Sequence, residues 1–325
     1  MPKAEIHVHV EGCLEPDTTW AMAQRNGVVL PADSLEAWRE FFRFRDFDHF
    51  IEVYVAATRA ICTPEDYAEM IASFYAHQAR WNVRYTEAFL SCSLVLDRFK
   101  PEVIFDALAE GIRRGSAASG VEVHFIADIS RERPQSRHDV VDFAIAAAER
   151  NLVIGLGLGG PEPDFPPEMF ADAYAKARAA GLHVVAHAGE VEGAKSVRGA
   201  VEALGAERIG HGVRVLEDPA LVAQLAERGT VFEVCPASNY ALKVVADGEP
   251  HPIRVMRDAG LHVTVNSDDP SMFSTDIVRD YSILAEQDFT WDDLWSLNLA
   301  TIDGTFASPE RKRALREEWT AFTTA

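Results

Sequence analysis

Short β-branched apolar runs alternate along the chain with stretches whose apolar residues recur at helical spacing, and four times a glycine stands at the junction. The runs are VEVHFIADIS after Gly120, LHVVAHAGE after Gly181, TVFEVCPAS after Gly229 and LHVTVNSDD after Gly260. Glycine can take the left-handed conformation that a helix C-cap needs, so each one marks the end of a helix and the start of a strand. Further strand-like runs at 5–10 (EIHVHV), 84–91 (RYTEAFLS), 153–160 (VIGLGLGG) and 208–214 (RIGHGVR) bring the total to eight. Between them, 167–180 and 217–228 carry apolar residues at helical spacing. Thr63-Pro64-Glu65-Asp66 offers an N-cap, a proline at the first helical position and an acidic first turn.

Strand, helix and strand joined by short turns predict parallel pairing with right-handed crossovers. Eight such units in 325 residues predict an α/β fold, a closed (β/α)8 barrel of the TIM type. The first crossover, 11–83, is too long for one helix and predicts a helical cap inserted after strand 1. No linker-like stretch divides the chain, so 1–325 is expected to be one domain.

Composition narrows the partners. No apolar run approaches the ~18 residues of a membrane span, and MPKAEIHVHV is not a signal peptide, so a cytoplasmic protein without membrane contact is expected. A net charge of −20 repels phosphate backbones and argues against nucleic acid. Cys13, Cys62, Cys92 and Cys235 form no CxxC pair and read as reduced thiols. The oligomeric state is open at this level.

His7 and His9 are two apart on the first strand, which points both imidazoles to one face. His187 ends the fifth strand, His211 lies in the sixth and Asp268 ends the eighth, so a barrel gathers all of them at its C-terminal mouth. Three histidines and one carboxylate suit zinc, with a position left for water. Glu190, three residues past His187, is the candidate acid, and His211 the candidate for positioning the water and sharing its proton. No lysine occurs in 153–160 to bridge a second metal, and the HxE…PCxxC pattern of cytidine-type deaminases is missing. A mononuclear hydrolase follows.

PKAEIHVHVEG, HAGE, RIGHGVR, CPASN and NSDDP stand in the order and spacing of the adenosine deaminase family, which the chain resembles from residue 2 to about 275. The resemblance implies one zinc ion per chain on His7, His9, His187 and Asp268. It implies that Glu190 protonates N1 of a 6-aminopurine while water, oriented by His211, attacks C6 and ammonia leaves. Asp269 would bond N7, and the backbone of Gly160 would meet N3. One departure concerns the substrate. Glu11 stands where adenosine-specific members carry aspartate for the ribose 5′-hydroxyl, and relatives acting on free adenine or 6-aminodeoxyfutalosine tend to have glutamate. By contrast, FLSCSLVLD (89–97) stands where adenine-specific members usually show an FDPQTH-like segment, and GLGGPE looks more like the nucleoside-acting branch. The expectation is therefore an adenine nucleoside other than plain adenosine, with free adenine as the alternative. A non-catalytic nucleoside binder and a hydrolase acting on another heterocycle are the readings from other classes.

The segment 38–54 is rich in aromatic residues. Phe47, Phe50 and Tyr54 fit either a plain buried helix face or a wall over a flat base. Arg43 and Arg45 are candidates to reach a carboxylate on a larger substrate.

Overall fold

Eight parallel strands pair in chain order: β1 (Lys3–Glu5), β2 (Val83–Leu90), β3 (Glu122–Ser130), β4 (Gly155–Gly159), β5 (His183–Ala188), β6 (Arg208–His211), β7 (Val231–Val234) and β8 (His262–Val265). They form a nearly closed (β/α)8 barrel with helices between them. The computed structural model describes residues 1–323, apart from the side chains of Phe47, Asp48 and Thr323. Gly120 (φ +68°) and Gly229 (φ +71°) cap their helices in the left-handed conformation. Among the described residues, no helix is long and apolar enough to cross a membrane.

The first strand is shorter than its sequence pattern. Regular pairing stops at Glu5, and residues 6–10 complete the barrel by a looser seam to the segment after β8. Side chains replace part of the ladder there. Ile6 N–H donates to Asn266 Oδ1 at 2.9 Å, and Ser267 N–H to Glu5 Oε1 at 2.8 Å. Backbone bonds resume higher up, where Asp268 N–H meets His7 O at 3.1 Å and His9 N–H meets Asp268 O at 2.9 Å. The seam thereby ties the HxH segment directly to Asp268.

Four helices occupy the long first crossover: α1 (Pro16–Asn26), α2 (Leu35–Phe41), α3 (Phe47–Arg59) and α4 (Pro64–Arg80). α4 starts where the sequence places its cap. Thr63 Oγ1 accepts the Asp66 N–H at 3.1 Å, and Asp66 accepts the Thr63 N–H at 2.8 Å. α4 then lies along the helix Pro101–Ser119 on the barrel's outside, while α1 to α3 remain as the cap.

Candidate active site

His7 and His9 leave β1 toward the barrel mouth, and each brings Nε2 to 3.4 Å from Asp268 Oδ1. His187, on β5, places its Nε2 3.2 Å from that of His9. One donor atom from each of the four residues fits within 4.8 Å. The tautomers are set from behind. His7 Nδ1 lies 2.8 Å from Glu233 Oε2, and His187 Nδ1 lies 2.8 Å from Leu158 O. Each acceptor draws the proton to Nδ1 and leaves Nε2 as a lone pair facing the cluster. His7 Nε2 is buried without a hydrogen-bond partner. Converging buried lone pairs beside a carboxylate need a cation, and this donor set suits zinc. A second grouping of His7, His211, Cys235 and Asp268 is equally compact. Burial pushes the Cys235 thiol well up, however, and a thiol is a poorer ligand than a thiolate.

Dense packing depends on two glycines. A Cβ on Gly210 would fall 2.7 Å from His7 Cε1, and one on Gly12 would collide with Asp269 Oδ1. His211 and Asp268, at φ +58° and +65°, hold left-handed backbone that side chains other than glycine seldom adopt. Such strain at the ends of β6 and β8 accords with a functional site.

Glu190 reaches the cluster from the loop after β5, and His211 from the end of β6. His211 Nε2 is 3.7 Å from Glu190 Oε1 and 3.9 Å from Asp268 Oδ2. Burial, then the charges of Asp268 and Glu162, raises the Glu190 carboxyl to about 8, which favours a neutral acid at neutral pH. Burial holds His211 down to about 3, so its imidazole is neutral. Asp269 is buried, its Oδ1 lacks a partner, and burial raises it to about 7. Glu11 is buried too. Its Oε1 accepts the Ser91 N–H at 3.1 Å, and its Oε2 is unpartnered. Gly160 stands apart: it is exposed after β4, and a Cβ there would meet Glu132 and Arg131.

In the cap, Phe50 stacks on Phe273 at 4.7 Å, and Tyr54 shares a 2.6 Å hydrogen bond with Ser91. Both are half-buried, so α3 seats against the loop that follows Asp269. The Phe47 side chain lies outside the described residues. Arg43 is 73% exposed and pairs with Glu40 at 3.1 Å. Arg45 lies 5.8 Å over the Phe41 ring. Both arginines are engaged with the surface of the cap.

Sequence reasoning missed the residues behind the cluster. Glu162 accepts the N–H groups of Gly189, Glu190, Val191 and Glu192 at 2.6–3.0 Å, and the Ser196 hydroxyl at 2.6 Å. It is the anchor of the loop that carries Glu190. Glu233 supports His7 and pairs with buried Arg208 at 2.6 Å. Ser238 donates to Asp268 Oδ2 at 2.6 Å, and Asn239 contacts His211 at 3.2 Å. Buried Asp128 keeps one oxygen unpartnered, and burial raises it to about 7. Glu233 had one signal in the sequence: a carboxylate in a barrel strand whose neighbours are apolar must be paired if it points inward.

Comparison with known proteins bears on this geometry. A family model described as Adenosine deaminase matches residues 2–321. An adenine deaminase of Cupriavidus necator is 39% identical over 273 residues, covering 84% of this chain and 78% of that one. The crystal structure of an adenine deaminase from Arthrobacter aurescens superposes with a TM-score of 0.92 at 32% identity, covering 100% and 99% of the two chains. An amidohydrolase from Burkholderia ambifaria with bound Zn superposes with a TM-score of 0.89 at 30% identity, over 99% and 90%.

Proposed function

The chain belongs to the adenosine deaminase family of hydrolases acting on C–N bonds, and from that premise we propose that it hydrolyses free adenine to hypoxanthine and ammonia. The observation that carries the choice of substrate is Glu11. It is buried with Oε1 held by the Ser91 N–H and Oε2 unpartnered, and it lines a small cavity with Thr58, Ile61, Leu94, Val95, Arg98 and Phe99. Free adenine has an N9–H for the unpartnered Glu11 oxygen, whereas a nucleoside is substituted at N9 and has none to give. The relatives named adenine deaminase support the same side. The expected preference for a nucleoside rested partly on FLSCSLVLD. In the fold, Ser91 of that segment fixes Glu11, and Leu94 and Val95 wall the cavity.

His7, His9, His187 and Asp268 would hold one zinc ion. Bound zinc brings the pKa of a water near 7 and so supplies the nucleophile at neutral pH. Glu190, neutral through burial, gives its proton to N1 and makes C6 electron-poor as the water adds. Asp269, near 7, is poised to donate to N7 in its protonated form. His211 orients the incoming oxygen from Nε2. The cap holds Phe50 and Tyr54 over the mouth and limits bulk water.

Steady-state ammonia release from zinc-loaded protein tests the reading, with adenine, adenosine and 6-aminodeoxyfutalosine in parallel. Adenine is expected to lead in kcat/KM by roughly 10²-fold or more, because a site built to bond a substrate N–H rejects analogues lacking it. A preference for either nucleoside would overturn the proposal.

A further inference from the structure

His211 is held from behind by a chain of two further side chains. Its Nδ1 lies 3.2 Å from Asn239 Nδ2. Asn239 Oδ1 lies 3.1 Å from His251 Nε2. His251 Nδ1 lies 3.1 Å from the Ile253 backbone nitrogen. All three side chains are buried, and none of the donor or acceptor atoms in the chain is otherwise engaged by a described side chain.

The polarity of this chain is fixed at its far end, because a backbone N–H can only donate. His251 Nδ1 is therefore an acceptor, and the proton of a neutral His251 sits on Nε2. Burial keeps that imidazole neutral, pushing it down to about 3. Nε2–H then donates to Asn239 Oδ1, which turns the Asn239 amide so that its NH2 faces His211. That NH2 donates to Nδ1 of His211 and leaves the His211 proton on Nε2. His251 is itself clamped, since its own N–H donates to Gln287 Oε1 at 2.8 Å. His211 Nε2 is the atom aimed at Glu190 and Asp268.

We propose that His251 and Asn239 are positioning residues that lock His211 in the Nε2–H tautomer, so that it meets the attacking oxygen as a hydrogen-bond donor. Neither touches the substrate. Because the relay contains no charge, it fixes a proton without changing the balance of the cluster. The other tautomer would turn a lone pair toward the nucleophile and lose the bond that orients it. The proposal rests on the deaminase reading for its rate consequences, whereas the tautomer itself is independent of the substrate.

The test is the ¹⁵N spectrum of histidine-labelled, zinc-loaded protein together with kinetics on adenine. His211 is expected to show an unprotonated Nδ1 and a protonated Nε2 in the wild type. Asn239→Leu, close to isosteric, should lose that signature and lower kcat by roughly 10²-fold, with KM changed by no more than about 2-fold. His251→Phe should lower kcat by about 10-fold and mix the tautomers. His251→Gln, whose amide can still donate to Asn239, should recover most of that loss. A wild-type His211 protonated at Nδ1 overturns the proposal whatever the substrate, as do Asn239→Leu and His251→Phe variants with unchanged kcat. Inactivity on adenine with the expected tautomer would instead count against the substrate alone.

Discussion

Glu190 and His211 approach within 3.7 Å of each other, yet they are held by opposite means. The loop after β5 closes around a carboxylate, Glu162, which collects four successive backbone amides and a hydroxyl. His211, the last residue of β6, is held by a neutral amide and a neutral imidazole. A charged anchor adds to the burial and the Asp268 charge that keep the Glu190 proton on at neutral pH. A neutral anchor suits His211, whose task depends on which nitrogen carries the proton. On the proposed roles, each support matches the protonation state of the side chain that it holds.

Removing the charged anchor has the largest expected effect. Glu162→Ala leaves up to five donors unsatisfied around a buried site, at about 1–3 kcal/mol for each one that water cannot reach. The variant should melt well below the wild type and lose roughly 10²-fold or more in kcat, read by calorimetry and ammonia release. Wild-type kcat with only a lowered Tm would make Glu162 a purely structural residue. The neutral anchor is softer, and His251→Phe should cost activity with little loss of Tm.

Next in size is Glu11→Asp, which withdraws the carboxylate by one methylene and opens the small cavity. The ratio of adenine to adenosine kcat/KM should fall by about 10-fold. An unchanged ratio would detach Glu11 from substrate choice. The mildest effect is the pH dependence of the wild type. On the proposed role of Glu190 as the acid, kcat/KM should decline as pH rises through its pKa, which burial raises to about 8. Glu190→Gln, assayed for its residual rate, should flatten the alkaline limb.

The metal-ligand candidates were legible because each lies in a short local motif and barrel topology brings the strand ends together. HxH, HAGE, GHG and NSDD needed only the expectation that all eight strands point the same way. Capping glycines and the Thr63 box were legible for the same reason, since their physics is local. The supports were not. Glu162 acts on amides 27 to 30 residues away, and those amides look alike in any sequence. His251 reads as an ordinary buried histidine until Asn239 and the Ile253 amide fix its direction. The β1–β8 seam escaped too, because Glu5 and Asn266 substitute for a ladder across about 260 residues of chain. Substrate choice is the least legible part: FLSCSLVLD bears on Glu11 through the place where its turn puts Ser91, which a pattern of residue types does not report.

The most direct measurement pairs zinc content with ammonia release from adenine in wild-type protein and in Glu190→Gln. The account predicts about one zinc per chain in both and turnover in the wild type alone, with the variant slower by roughly 10²–10⁴-fold. A fully metallated Glu190→Gln variant that deaminates adenine at the wild-type rate would contradict it.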